Sequence, residues 1–333
     1  MSFEISEVMN KEGALANWAS HVRYGAELSQ DEREFSEAAD AWARNLGKTG
    51  KDPNGELSAL IAKALTEDVV TPPSELIGLL FDEGGNVGEF DDTYGVFDPK
   101  NTIQAHEAIL EGNVDRSFIE HRMIKPEWVN LAAETDISML DLRRGGYRTV
   151  ATLVNYIQEA FEWKRIATIL DKVDALIVSG NDNYIAEATA NPTEATADKL
   201  ALYLQDMTDG TMPTAFMLNK YRQAMSKLAQ AQKWPTEAER GIYNHDGFLV
   251  NYAGMDLVGF SGQKKLADGS LLVPDKRVFG VAGKIGAAMT RGETRVLQHE
   301  DINAERVHVK VNGYTFGYMI NDTKKIAKIV MAQ

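Results

Sequence analysis

The stretch RGETRVLQHEDINAERVHVKVNGYTFGYMINDTKKIAKIVM, residues 291–331, reads as one continuous β unit. Thr294-Arg295-Val296-Leu297 opens it, and His299-Glu300-Asp301-Ile302-Asn303 forms a polar, acidic break. The next run alternates, with Val307, Val309 and Val311 on one face of a strand. Asn312-Gly313 supplies the φ > 0 pair of a type I′ turn, which predicts a two-residue hairpin with Tyr314 to Ile320 returning as the partner strand. Ile326-Ala327-Lys328-Ile329-Val330-Met331 closes the unit as a short apolar strand. None of these positions carries a catalytic set, which turns the reading toward a protein that makes shape.

Working outward, the chain of 333 residues is long enough for a sizeable core, and 44% hydrophobic with 25% charged residues is a globular composition. No apolar run reaches the roughly 18 residues of a membrane span, and Met1-Ser2-Phe3-Glu4-Ile5 has no basic start or apolar centre of a secretory signal. There are no cysteines, so disulfides and thiolate metal sites are excluded. Charge is uneven. Residues 241–333 hold 12 Lys+Arg against 9 Asp+Glu, which leaves −17 of the total −14 on residues 1–240. Such a chain does not grip phosphates strongly, because nucleic-acid affinity comes from Lys and Arg releasing counterions. It can lie beside DNA without sticking to it.

Residues 1–70 read as helical and peripheral. Phe35, Ala38, Ala39, Trp42 and Leu46 make one stripe over residues 31–46, Asp52-Pro53-Asn54-Gly55 breaks it, and residues 57–65 form a second helix. From about 76 to 131 the chain is rich in turns (Gly84-Gly85-Asn86, Asp98-Pro99, Gly112-Asn113), which predicts an extended hairpin arm rather than a compact unit. Residues 147–178 are the clearest helix, carrying Val150, Leu153, Val154, Ile157 and Phe161, then Ile166, Ile169, Leu170 and Val173. Ser179-Gly180-Asn181 is its stop, with Gly180 near the C′ position. At 1.5 Å per residue this beam is ~48 Å long. Helices at residues 196–206 and 220–232 and strands at 214–218, 248–250, 255–258, 271–273 and 278–281 complete a mixed α+β chain.

Chemistry finds little foothold. Gly280-Val281-Ala282-Gly283-Lys284-Ile285-Gly286 approaches a phosphate loop, but it is three residues short and Ile285 stands where a Ser or Thr would hold magnesium. The expected role of these glycines is to relieve crowding at a strand bend. Asp82, Glu83, Glu89, Asp91, Asp92 and Asp98 offer carboxylates for a hard cation, yet without the spacing of a calcium loop, and read as solvated. His21, His106, His121, His245, His299 and His308 never fall at ligand spacing; His308 is expected to face solvent or a partner. Ser261 in Gly259-Phe260-Ser261-Gly262 lacks the frame of a nucleophile elbow. No catalytic, cofactor-binding or metal-binding residue is assigned, and no cofactor is expected.

The order of parts carries a resemblance. An acidic helical N-terminal segment leads to a turn-rich arm, then to Phe118-Ile119-Glu120-His121-Arg122-Met123 and Trp128-Val129-Asn130-Leu131-Ala132-Ala133. A beam helix ends in Ser-Gly-Asn, an Ala-Phe-Met-Leu-Asn strand enters a helix, and long strands precede the terminal Ile-Ala-Lys-Ile. From about residue 71 to 331 this resembles the major capsid protein of tailed bacteriophages, in the Hong Kong 97-like major capsid fold. The resemblance implies an N-terminal arm (1–75), an extended β-hairpin loop (76–135) lying over a neighbour, and a peripheral domain with the spine helix (136–187). It further implies an axial domain (188–288), a peripheral β-hairpin (289–325) and a closing strand (326–333). It also implies a structural, non-enzymatic subunit of the virion, made in the host bacterial cytoplasm. Such a subunit is a homo-oligomer of hexamers and pentamers around double-stranded DNA, with scaffolding and portal proteins and optionally a decoration protein as partners, and no membrane. With about 70 residues ahead of the arm, an uncleaved subunit with a separate scaffold is expected. Some relatives join a loop lysine to a neighbour's asparagine; Lys100 lies on the arm, but no partner for it can be matched. The rivals are an encapsulin-type compartment shell and, from another class, a soluble enzyme on a phosphorylated ligand through residues 280–286.

Overall fold

The structure, a computed structural model, describes residues 14–52, 55–66, 77–88, 96–101, 119–208, 210–231, 250–263, 265–266, 269–292 and 294–332. The N-terminal helices are α1 (Ala14–Tyr24), α2 (Gln30–Thr49) and α3 (Glu56–Thr66). Ser29 starts α2 with a capping box: its hydroxyl accepts from the Glu32 amide, and Glu32 returns the bond to the Ser29 amide at 2.7 Å. The stripe read from the sequence buries Phe35, Ala39 and Leu46, with Ala43 beside them and Trp42 partly covered. Gly50, at φ +63°, ends the helix in the left-handed conformation that suits glycine.

Helix α4 (Met139–Gly145) turns at Gly146 into the beam, α5 (Tyr147–Leu176), 30 residues and ~45 Å long. It ends with Ile177 in an extended conformation as its cap, so the stop comes three residues before Gly180 rather than at it. Its two halves have different neighbours. At the N-terminal half, Arg23 of α1 pairs with Glu159 at 2.8 Å and donates to Asn155. At the C-terminal half, Phe161 meets Tyr314 edge-on at 5.1 Å and Arg165 donates to the Tyr314 hydroxyl at 2.9 Å.

Tyr314 belongs to the larger sheet. Its centre is β12 (Arg306–Ile320), flanked on one side along nearly its whole length by β4 (Glu127–Ser138). On the other side β11 (Arg295–Asp301) pairs with residues 306–312 and β10 (Gly286–Arg291) with residues 315–320. Strand β1 (Phe81–Val87) adds in parallel beyond β10. The second sheet runs β5 (Tyr184–Glu187), β13 (Ile326–Met331), β9 (Arg277–Val281), β6 (Thr214–Leu218), β8 (Met255–Phe260) and β7 (Asn251–Tyr252). Helices α6 (Glu194–Met207) and α7 (Asn219–Ala231) accompany it. A separate two-stranded ribbon pairs β2 (Val96–Asn101) with β3 (Ile119–Ile124).

Three sequence expectations are corrected. Asn312-Gly313 is not a turn. Residues 306–320 run on as one strand, and the pair forms a bulge where the register with β4 shifts between Val311 and Tyr314. A bulge inserts one extra residue and flips the alternation. Val307, Val309 and Val311 face the core before it, and Tyr314, Phe316 and Tyr318 face the same core after it. Gly313 takes φ +76°, the same property that makes Asn-Gly a good hairpin loop. Second, residues 291–331 are not one β unit, because β13 lies in the other sheet between β5 and β9. Third, residues 271–273 make no strand; Leu271 forms one isolated bridge to Lys265, with Leu272 and Val273 buried. The sequence-read strand at 248–250 falls mostly outside the described residues, as do residues 89–95 and 102–118 of the turn-rich arm. Within that arm, β1 joins the larger sheet, and residues 127–135 lie in β4.

Deleting Gly313 would push Tyr314, Phe316 and Tyr318 to the outer face. The deletion should therefore abolish cooperative unfolding by circular dichroism, whereas Gly313→Ala should cost only ~1 kcal/mol, the strain of a positive φ.

Candidate assembly surfaces

The residues singled out for chemistry serve packing instead. A Cβ at Gly280 would sit 2.4 Å from Leu204 Cδ1 of α6, and one at Gly286 would sit 1.8 Å from the Met319 carbonyl oxygen. These glycines let a helix and a neighbouring strand approach closely. Lys284 is engaged by Asp82 of β1 at 2.8 Å. That surface pair joins the lysine of the phosphate-loop reading to one carboxylate of the acidic cluster, with both side chains at least half exposed. Asp98 lies on β2 opposite Arg122, Lys100 lies opposite Glu120, and Glu89, Asp91 and Asp92 are outside the described residues. The Ser261 hydroxyl accepts from the Gln263 amide in a turn.

The histidines hold one surprise. His299 of β11 and His308 of β12 are register partners, with rings stacked at 6.2 Å, and His308 Nδ1 is 2.5 Å from the Asp136 carboxylate of β4. They are nine residues apart in sequence, so only the strand pairing brings them together. His21 sits 2.9 Å from Glu32; His106 and His245 lie outside the described residues. Among the described residues, no group of three or more His, Asp or Glu side chains is placed to hold a metal ion. No described helix is long and apolar enough to cross a membrane.

Two polar knots that sequence reasoning missed fix the large elements. At the end of α5, Asp174 accepts from Lys328 Nζ of β13 at 2.6 Å and from Arg277 of β9 at 3.2 Å. Lys328 is only 4% exposed and also donates to the Asp174 main-chain oxygen. A lysine in the apolar run of residues 326–331 was the available signal, because a charge is buried there only if it is paired. The other knot is Glu187 at the end of β5. Its carboxylate accepts from the Thr189 and Thr193 amides at 3.0 Å each and from the Thr193 and Thr196 hydroxyls at 2.5 and 2.7 Å. Burial pushes this carboxyl up, but the four donors outweigh it and hold it at about 2. Between α5 and the larger sheet, Glu127 accepts from Lys172 at 2.7 Å and from the Tyr318 hydroxyl at 3.0 Å. Burial, then the hydrogen bond to Glu127 and its charge, push Tyr318 up to about 12.

On the outer face of the larger sheet the exposed apolar Leu297 stands in one cross-strand row with Lys310 and Glu134, and His299, His308 and Asp136 make the next. Around the bulge lies an open basin of about 910 Å³, lined among others by Trp128, Asn130, Arg291, Arg295 and Thr315. Arg291 lies over the Trp128 ring at 5.4 Å. Gly317 makes room for that ring, since a Cβ there would sit 2.8 Å from it.

A beam helix tied at one end to helices and at the other to two sheets, with closely packed glycines at 280 and 286, defines an α+β fold. Solved structures share it. The chain resembles a Gordonia phage Cozz structure over 78% of its length and 87% of that chain, with a TM-score of 0.54 and 10% identity. It resembles the capsid of a native GTA particle over 80% of this chain and 93% of that one, with a TM-score of 0.53 and 14% identity. It also resembles a satellite phage P4 procapsid that includes a size determination (Sid) protein, over 91% and 98% of the two chains, with a TM-score of 0.50 and 10% identity. The chain therefore has the fold of phage capsid proteins. No protein-family profile and no curated protein sequence matches it.

Two stability effects follow from the knots. Lys328→Met leaves Asp174 one partner short and should cost ~3 kcal/mol in urea unfolding at pH 7. Glu187 has a depressed folded pKa, so its contribution is complete above about 4.5 and fades as the pH falls toward about 2. Glu187→Ala should cost ~2 kcal/mol at pH 7 and a smaller amount at pH 3, measured by the same titration.

Proposed function

We propose that this chain is a major capsid protein, a shell-forming subunit that assembles into an icosahedral phage head around double-stranded DNA. The observation that carries the reading is the likeness to capsid structures, which takes in four-fifths of this chain and nearly all of the GTA capsid chain. Composition supports it. The acidic N-terminal 240 residues would let packed DNA move past the wall instead of binding it. In this reading hexamers and pentamers use one sequence, and closure comes from many modest contacts between copies rather than from a bound cofactor. A separate scaffolding protein, a portal protein and optionally a decoration protein complete the assembly. The P4 procapsid, whose structure includes a size determination (Sid) protein, is a precedent for a second protein in such an assembly. The phospholigand-enzyme reading is the weaker one, since close packing already accounts for Gly280 and Gly286.

Expression of the chain with a candidate scaffold should give closed particles in negative-stain microscopy. A soluble monomer that stays monomeric, and binds nucleotides with micromolar affinity by calorimetry, would defeat the reading. Particles loaded with a cargo enzyme and devoid of DNA in the native source would assign the fold to a compartment shell instead.

A further inference from the structure

Strand β11 carries two polar residues on its core-facing side. Gln298 and Glu300 follow Val296 in that row, opposite Val309 and Val307 of β12, which are fully buried. What they meet is Asp52, in the link from α2 to α3. Asp52 Oδ2 accepts from the Leu57 amide of α3 at 2.9 Å and from Gln298 Nε2 at 3.2 Å. The same Gln298 nitrogen donates to Glu300 Oε1 at 2.7 Å. The break read at residues 52–55 and the acidic break read at 299–303 therefore come together, with one amide nitrogen between two carboxylates.

The cluster is not balanced by its own hydrogen bonds. Asp52 is only 9% exposed, and its Oδ1 has no donor. Gln298 Oε1 is likewise buried without a donor. Among the described residues no lysine, arginine or histidine pairs with Asp52 or Glu300, so two negative charges share a neutral amide away from water. A buried charge is kept where it is paired or where it coordinates a metal. Two carboxylates and an amide oxygen are the donors of a hard cation rather than of a transition metal. Between the common hard cations, magnesium gives up its waters reluctantly and demands a near-ideal octahedron, whereas calcium accepts irregular oxygen sets. A carboxylate as withdrawn as Asp52 favours calcium.

We infer that Asp52, Gln298 and Glu300 form a calcium site that ties the N-terminal helices to the larger sheet. In the calcium form the Gln298 amide turns over, so that Oε1 replaces Nε2 beside the two carboxylates and the ion holds the three oxygens together. Water completes its coordination. All three residues belong to one chain, so the inference stands apart from the shell reading and its test does not depend on particles forming.

The full-length chain is stripped with a chelator and titrated with calcium chloride by calorimetry, with magnesium chloride in a parallel titration. Calcium should bind more tightly than magnesium and raise the thermal unfolding midpoint. Glu300→Gln should weaken calcium binding about tenfold, because affinity follows the number of charged ligands. It should also raise the calcium-free midpoint, since it removes a like charge beside Asp52. Gln298→Glu should do the reverse, tightening calcium about tenfold while lowering the calcium-free midpoint. Glu134→Gln, at an exposed acid of β4, should change neither. No calcium binding up to about 1 mM would overturn the site. Binding that Glu300→Gln and Gln298→Glu both leave unchanged would reveal an adventitious ion only and overturn it too. A Gln298→Glu chain that is destabilised equally with and without calcium would reduce the cluster to hydrogen bonding and overturn it as well.

Discussion

The alternation of β12 must change phase once, and the rest of the larger sheet depends on that change. Val307, Val309 and Val311 before the bulge and Tyr314, Phe316 and Tyr318 after it all have to meet the same core. Strand geometry alone sends the second set to the other face. The extra residue at Asn312-Gly313 restores the phase, and with it the seat for the beam: Phe161 on Tyr314, and Arg165 over both Tyr314 and Phe316. Opposite the same point, β11 gives way to β10, so the break in the flanking strands falls where the central strand is already kinked.

The beam carries this anchorage to the second sheet. Glu127 gathers Lys172 and Tyr318 close to its C-terminal end, and Asp174, two residues on from Lys172, gathers Lys328 and Arg277. Both arrangements cross-link elements far apart in sequence through a carboxylate with two donors. The buried Lys328–Asp174 pair adds little net energy over apolar packing but is costly to break, which fixes orientation, whereas the more exposed Lys172–Glu127 pair contributes little. Where the chain passes between the sheets, each ladder is prolonged by one main-chain bond, from the Asn321 amide to Ile285 beside β10–β12 and from the Ala282 amide to Lys325 beside β9–β13. These contacts tie the beam and both sheets together within the chain.

Much of this was legible from residue patterns. Strand β6 was read to the residue, helices α6 and α7 within one or two residues, and the beam within two at its end. In each the apolar period decides the local structure before any tertiary contact forms. The glycines at 280 and 286 were legible in kind, as packing residues, though not in their contacts with Leu204 and Met319. The His299–His308 stack and the Asp174 and Glu187 knots were not legible, because each joins side chains whose meeting depends on strand register or sheet order.

Asn312-Gly313 marks the boundary between the two kinds of knowledge. By itself the sequence determined that the backbone at Gly313 takes a positive φ and that apolar alternation changes phase there, since both are local consequences of glycine and of a two-residue period. A hairpin and a bulge satisfy those conditions equally. Only the tertiary structure decided between them, because β4 offers a single continuous partner on one side of β12 and the beam offers a single apolar seat, and a strand that turned back would leave both half empty.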